Sequence, residues 1–169
     1  MKNSLSSKNN LSPVPSSPTT GKHILAEFWQ CQCDPQLLTS TQPLLSLLTQ
    51  AVEQAGLTLV GHAVHEFEQY EAQNDNESDS NLKQLNQDTA PAQTSGVTLT
   101  LLLAESHLCL HTWGEYQTVT MDVYVCNVAN ENSSKADALF NACLQLFQPK
   151  QHHVNSVSRQ HQIPNNFQH

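Results

Sequence analysis

The chain has 169 residues, which is enough for one domain and little more. Its formal net charge is −8 and its seven Lys and Arg residues are scattered, which argues against a nucleic-acid partner. No apolar run approaches the roughly 18 residues needed to cross a membrane. Because the N-terminus lacks the apolar region of a secretory signal, we expect a cytoplasmic protein whose five cysteines are free thiols.

Three polar segments are predicted to stay outside the packed domain. Residues 1–21 are rich in Ser and Pro and are typical of a disordered tail. Residues 69–94 are polar and acidic, and a loop of this length is rarely ordered in a compact domain. Residues 160–169 form a predicted C-terminal tail. A single domain is therefore expected over residues 22–159, with the acidic insertion inside it.

The remaining segments alternate between strand and helix patterns. The longest apolar stripe at helical spacing comprises Leu44, Leu47, Leu48, Ala51, Val52 and Ala55. The second arm of a predicted hairpin, residues 118–126, alternates as a strand with one buried face does. In chain order the prediction is strand 22–30, helix 41–55, strands 57–67 and 97–103, hairpin 108–112 with 118–126, helix 134–147, and a weak strand 152–159.

This β-α-β-β-β-β-α-β order predicts an α+β fold. The expected architecture is a two-layer sandwich, with a mostly antiparallel sheet and both helices on one face. The other face of the sheet would stay exposed in a monomer, and a second copy of the chain could cover it.

The reactive side chains concentrate in residues 104–126, with the sequence AESHLCLHTWGEYQTVTMDVYVC. If the hairpin turns near Gly114, Cys126 returns along its strand to lie beside Ser106. His111 falls between Ser106 and the turn. We therefore expect the hydroxyl, the imidazole and the thiol to converge on one cleft.

This segment resembles the processing and active-site region of prokaryotic S-adenosylmethionine decarboxylases. That family has the pattern E-S-H-x-x-I-H-T-W-P-E-Y, followed by a D-V-[FY]-x-C strand. Matching residues are Glu105, Ser106, His107, His111, Thr112, Trp113, Glu115, Tyr116, Asp122, Val123, Tyr124 and Cys126. Residues 22–28, 33–35 and 97–98 resemble further family segments. Gly114 replaces the usual Pro, from which we expect a looser turn.

The resemblance implies that the chain cleaves itself between Glu105 and Ser106 and converts Ser106 into a covalent pyruvoyl cofactor. By the same resemblance, His111 is the base and Cys126 the proton donor. Glu115, Trp113 and Thr98 are the implied substrate-binding residues. The implied activity is that of a carboxy-lyase, which decarboxylates S-adenosylmethionine to S-adenosylmethioninamine for spermidine biosynthesis. Cleaved protomers are expected to assemble as (αβ)2 or larger, with no nucleic-acid or membrane partner.

Two other functions remain open. One is a pyruvoyl-dependent ornithine or arginine decarboxylase of the same family. The other is a non-processing regulatory paralogue, which predicts loss of a Ser, His or Cys that is present here.

Metal binding is not expected from the sequence. His107 and His111 have the spacing of a helical metal pair, but their segment alternates as a strand does. Cys31 and Cys33 form a lone C-x-C pair, for which free thiols are the simpler interpretation. Cys109 and Cys143 are interpreted as core residues, whereas His62 and His65 are interpreted as structural or exposed residues of a strand.

Overall fold

The computed structural model of the chain describes residues 20–67, 95–104, 106–127 and 131–160. All of the predicted acidic insertion and most of the predicted tails therefore lie outside the described residues. Thr20 and Gly21, predicted as tail, instead belong to the first strand, and Gln160 belongs to the last. These two strand ends pair with each other, and Thr20 lies opposite Gln160. Each end therefore gives the other the backbone hydrogen-bond partners that an isolated tail would lack.

The order of the long elements is the predicted one. The elements are β1 (Thr20–Cys31), α1 (Gln36–Thr39), α2 (Thr41–Gln54), β2 (Leu59–Phe67), β3 (Gly96–Leu103), β4 (Ser106–Trp113), β5 (Thr118–Val125), α3 (Ser133–Phe147) and β6 (Pro149–Gln160). The four-residue helix α1 is an addition to the prediction. The Asp34 side chain accepts the Gln36 backbone N–H there, at 3.0 Å.

The strands form one six-stranded sheet in the order β2-β3-β4-β5-β1-β6. Every neighbouring pair in the sheet is antiparallel. Strand β1 lies between β5 and β6, so the first strand of the chain is bordered by two strands from its C-terminal half. The α+β fold predicted from the order of elements is confirmed.

One core lies between the sheet and the long helices. Helices α2 and α3 contact each other and the sheet, and alternate strand residues meet them. The largest fully buried side chains include Phe28, Leu44, Leu48, Leu99, Leu108, Leu139 and Phe147. Burying each such side chain contributes about 1.5–3 kcal/mol.

The opposite face of the sheet, here called the open face, carries the other half of each strand. In β1 it presents the exposed side chains of Leu25 and Trp29, and it also carries Leu102 of β3 and Val157 of β6. These apolar side chains fit the predicted uncovered sheet face. None of the helices in the described part of the chain is long and apolar enough to span a membrane.

Candidate active site

Ser106 and Cys126 meet where the β4–β5 ladder ends. Ser106 is the first residue of β4, and Cys126 directly follows β5. The Cys126 backbone N–H lies 3.4 Å from the Ser106 Oγ, a long contact in which the amide donates to the hydroxyl. The turn at residues 114–117 gives the hairpin two arms of eight residues each. The predicted neighbourhood of these two residues is therefore confirmed.

His111 is held from the neighbouring strand β3. It lies directly opposite Thr98, and the Thr98 Oγ1 is 2.9 Å from the His111 Nδ1. The Trp113 ring lies two residues further along β4, with its centroid 6.0 Å from that of the imidazole. His111 is therefore an exposed side chain of the open face with a defined hydrogen-bond partner.

Within one chain, the Ser106–Cys126 pair lies far from the His111–Thr98 pair. Ser106 lies opposite the buried Leu103, whereas His111 lies opposite Thr98 on the open face. His111 lies five residues beyond Ser106 along the strand, which is roughly 16 Å at about 3.3 Å per residue. Because side chains on a strand alternate between the two faces of the sheet, residues five positions apart lie on opposite faces. The expectation that all three side chains converge in one cleft of one chain is wrong.

The turn between β4 and β5 is tight. The Gly114 N–H donates to the Ser95 carbonyl at 2.7 Å, a hydrogen bond that a proline cannot make. A Cβ at Gly114 would lie 2.6 Å from the Thr39 Cγ2 and 2.8 Å from the Ser95 Oγ. The expectation of a looser turn is therefore wrong, because glycine allows this close approach.

The residues that are predicted to bind the substrate lie near His111. Thr98 and Trp113 share the open face with it, and Glu115 lies in the turn that follows Trp113. The Glu115 Oε2 accepts the Ser95 backbone N–H at 3.1 Å, which ties the turn to the start of β3. The substrate-binding roles of these residues stay predictions.

A cluster without a predicted role also lies on the open face. The Nε2 atoms of His23 on β1 and His107 on β4 each lie 3.1 Å from the Asp122 Oδ2 on β5. We call these three residues the His-Asp-His cluster. Their ligand atoms all lie within 4.8 Å of one another, so this cluster could hold a metal ion. Each residue lies in a segment that resembles the family, but their convergence depends on β1 pairing with β5.

Tyr124 connects this cluster to Cys126. Its ring centroid lies 5.7 Å from that of His23 and 5.5 Å from that of His107. Burial raises the pKa of Tyr124, and the nearby Cys126 thiol raises it further, while Arg159 opposes the change. The Arg159 guanidinium carbon lies 5.1 Å from the centre of the tyrosine ring.

The other cysteines divide into core and surface thiols. Burial raises the pKa of Cys143 to about 12, and burial followed by the neighbouring Cys33 raises the pKa of Cys31 to about 12. Both thiols are therefore protonated at neutral pH and unreactive. Cys143 is a core residue as predicted. Cys109 is not, because its odd position on β4 directs it to the open face, where its Sγ lies 3.4 Å from the Thr100 Oγ1.

Known proteins resemble the chain over most of its length. Proteins named S-adenosylmethionine decarboxylase proenzyme include one from Picrophilus torridus, 27% identical over 143 residues, which are 85% of this chain and 86% of the relative. Another, from Archaeoglobus fulgidus, is 28% identical over 130 residues, or 77% and 88% of the two chains. A relative from Aeropyrum pernix, named arginine decarboxylase proenzyme, is 29% identical over 139 residues, or 82% and 83%.

A solved structure and a family profile agree with these relatives. The crystal structure of the adenosylmethionine decarboxylase from Aquifex aeolicus shares the fold with a TM-score of 0.63, at 24% identity over 88% of this chain and 97% of that one. The family described as S-adenosylmethionine decarboxylase matches residues 22–160. Because that match includes all six strands apart from two residues of β1, the chain belongs to the S-adenosylmethionine decarboxylase family.

Proposed function

We propose that this chain is a pyruvoyl-dependent S-adenosylmethionine decarboxylase that makes its cofactor by cleaving itself between Glu105 and Ser106. The family match and the relatives named as S-adenosylmethionine decarboxylase proenzymes support this proposal. The observation that carries it is the Ser106 hydroxyl, which meets Cys126 at the end of two paired strands. The five free cysteines fit a reducing compartment, and we propose the cytoplasm.

Self-cleavage starts from the Ser106 hydroxyl. Its Oγ attacks the carbonyl carbon of Glu105, and the C–N bond breaks as the acyl group moves from nitrogen to oxygen. Removal of the Ser106 α-proton then expels the Glu105 carboxylate and leaves a dehydroalanine. Hydrolysis with loss of ammonia leaves a pyruvoyl group at residue 106. The Cys126 N–H would orient the hydroxyl and stabilise negative charge on its oxygen.

The base for these steps is proposed to come from a second copy of the chain. His111 of the same chain lies on the other face of the sheet, roughly 16 Å along β4 at about 3.3 Å per residue. General-base catalysis needs hydrogen-bonding reach, directly or through one water. The open face has exposed apolar side chains that a second sheet would cover. Ser106 begins β4 and is half-buried, so a partner stacked on the open face could approach it around the end of the strand. We therefore propose an (αβ)2 or larger assembly in which His111 of the partner subunit serves Ser106.

In turnover the pyruvoyl carbonyl would take up the substrate amine and accept electrons as CO2 leaves. Cys126 would then donate a proton to the carbon that lost CO2, because a thiol can act as a general acid and Cys126 lies beside residue 106. In this assembly Glu115 of the partner subunit would attract the positively charged sulfonium, and the partner's Trp113 would offer it an aromatic face. The partner's Thr98 would align the partner's His111 in the same pocket.

Intact mass spectrometry of the purified protein tests the cleavage. We expect two chains, residues 1–105 and a C-terminal chain from 106–169 that begins with a pyruvoyl group instead of an amine. Ser106→Ala should remain one chain and release no CO2. A natural protein that stays intact with Ser106 unchanged would contradict the proposal and favour the non-processing paralogue.

The substrate needs a separate measurement because a relative from Aeropyrum pernix is named arginine decarboxylase proenzyme. We expect labelled CO2 from carboxyl-labelled S-adenosylmethionine, with the product available for spermidine biosynthesis. Labelled arginine and ornithine, given to the same cleaved protein, should release little. Rapid release of CO2 from arginine or ornithine, with none from S-adenosylmethionine, would identify the chain as an arginine or ornithine decarboxylase. The proposed self-cleavage would still stand.

A further inference from the structure

The His-Asp-His cluster joins three adjacent strands at one point of the open face. His23 on β1 and His107 on β4 both lie opposite Tyr124 of the intervening β5. Asp122 lies two residues before Tyr124 on the same face, so both imidazoles lean toward one carboxylate oxygen, at 3.1 Å each. Three separate strands therefore deliver three potential ligand atoms to one site.

The separations between these atoms suit a tetrahedral ion. Zinc binds histidine nitrogen and carboxylate oxygen at about 2.0–2.2 Å, so two such ligands in a tetrahedron lie about 3.3–3.5 Å apart. The two imidazole-to-carboxylate separations of 3.1 Å are close to this value, and all three ligand atoms lie within 4.8 Å of one another. Small side-chain shifts would therefore admit an ion between the three ligand atoms.

Charge and access also favour a cation. In the described part of the chain, the Asp122 carboxylate has no Lys or Arg nitrogen within 4.0 Å, and its close partners are the two imidazoles. In the single chain the side chains of His23, Asp122 and His107 are 17%, 29% and 33% exposed, so an ion can enter before a second sheet covers the open face. Arg159, the nearby cationic side chain, lies over the Tyr124 ring.

We propose that His23, His107 and Asp122 bind a divalent transition-metal ion of the Zn²⁺ class and that this ion fastens β1, β4 and β5 together. Two imidazoles and one carboxylate suit Zn²⁺, Co²⁺ or Ni²⁺, whereas Mg²⁺ and Ca²⁺ prefer sites made of oxygen ligands. The ligand set leaves a coordination position for water. This site is independent of the proposed cleavage, because none of its ligands has a role there.

The alternative is a metal-free network in which Asp122 accepts a hydrogen bond from each imidazole. Both arrangements place the three atoms at similar separations, and they differ in what the Nε2 atoms carry. In the network each Nε2 holds a proton, whereas in the metal site each Nε2 lone pair points to the ion. Titration with a metal therefore separates the two arrangements.

The test is a Co²⁺ titration of the untagged full-length protein after removal of metal with a chelator. We expect one Co²⁺ per chain, the visible bands of four-coordinate Co²⁺ with nitrogen and oxygen ligands, and displacement by Zn²⁺. Zinc should also raise the thermal unfolding midpoint, since a ligand that binds the folded state stabilises it. No saturable binding to the natural chain would overturn the proposal.

Variants identify the ligands. Asp122→Asn, His23→Gln and His107→Gln should each weaken binding by at least about a hundredfold, because changes outside the ligand shell alone cost 10–100-fold. His65→Gln is the matched control, since this histidine lies on the same face of the edge strand β2, and it should bind as the natural chain does. Circular dichroism without metal checks the fold of each variant. Equal binding by all ligand variants, or a thiolate charge-transfer band that points to Cys109, would overturn the assignment.

Discussion

The Thr98 hydroxyl, 2.9 Å from the His111 Nδ1, determines how that imidazole is oriented. Thr98→Val keeps the shape of the side chain and removes this hydrogen bond. We expect self-cleavage to slow by about 10–100-fold, which is the loss found when the hydrogen-bond partner that orients a metal-ligating histidine is removed. A time course of chain separation on denaturing gels measures the rate.

Two further variants test the role of Thr98. Thr98→Ser should cleave at close to the natural rate, because the hydroxyl is kept. Thr100→Val removes the neighbouring hydroxyl on the same face, which contacts Cys109 instead, and should leave the rate unchanged. Equal rates for Thr98→Val and the natural chain would show that this contact does not position the base.

Cys126 is expected to matter after cleavage. Cys126→Ala keeps the backbone N–H that contacts the Ser106 Oγ, so the chain should still be cleaved at least in part. CO2 release should fall by about 10²–10⁴-fold, because the proton donor is missing. Labelled-CO2 assays on the cleaved variant measure this loss, with Cys109→Ala as a thiol-deletion control on the open face. Normal turnover by Cys126→Ala would show that another group donates the proton after CO2 leaves.

At the scale of single residues, local spacing predicted one contact and missed another. The meeting of Ser106 with Cys126 follows from the arms of one hairpin, which the sequence shows directly. The separation of His111 from Ser106 also follows from strand alternation once both residues are placed on one strand. The approach of His23 to Asp122 could not be predicted, because it depends on β1 lying beside β5, which is a long-range pairing.

At the scale of elements, Gly96 is required by the close approach of β3 to β4. A Cβ there would lie 2.1 Å from the Thr112 carbonyl oxygen, which is backbone and cannot move aside cheaply. We expect Gly96→Ala to reduce the free energy of unfolding by at least about 1–3 kcal/mol, the usual cost of overpacking. Urea unfolding followed by circular dichroism measures this loss.

Gly61→Ala is the matched control, because its Cβ would lie 3.6 Å from the Leu102 Cδ1, which is an ordinary contact. The two variants add the same methyl group to neighbouring strands of the sheet. Equal stability of both variants would show that β3 shifts to relieve the contact at Gly96.

The ends of β2 and β3 predict that the acidic insertion can be removed. Phe67 and Gly96 are direct partners in the β2–β3 ladder, so a short connection could join them. Deletion of residues 71–92 should therefore leave folding and self-cleavage largely unchanged. Yield of soluble protein and the extent of cleavage measure this outcome. Insoluble or uncleaved protein would indicate that the segment packs against the domain.

The strength of each sequence pattern explains which elements could be predicted. Helices α2 and α3 have apolar stripes at helical spacing, and both were predicted to within one residue at each end. Helix α1 is too short for a helical period, so no pattern could indicate it. Strand β6 is largely exposed and polar, and its twelve residues become a strand by pairing with β1. Its predicted range was therefore too short.

At the scale of the whole molecule, co-expression of two inactive variants tests the shared site. His111→Ala keeps its own Ser106 but lacks the base, and Ser106→Ala keeps its own His111 but cannot be cleaved. If the base acts between subunits, His111→Ala chains should be cleaved in mixed assemblies and in no others. Because each pairing of opposite variants restores one complete site, about half of the His111→Ala chains should be cleaved under random pairing of equal amounts.

Mass spectrometry distinguishes the two variants in this experiment, since only cleaved fragments that carry the His111→Ala substitution report the exchange. The Ser106→Ala variant expressed with a second copy of itself is the negative control. Failure of the mixed assemblies to cleave, together with cleavage of the natural chain, would mean that the base comes from the same chain after rearrangement.

The strand order also determines what a break after residue 105 would do to the protein. The N-terminal piece would contribute β1, β2 and β3 and the C-terminal piece β4, β5 and β6, yet β1 lies between β5 and β6. The two pieces are thus interlocked along three ladders, β3–β4, β5–β1 and β1–β6. Neither piece can leave without dismantling the sheet, so the nicked molecule can come apart only by unfolding, and dilution alone would not separate its two pieces.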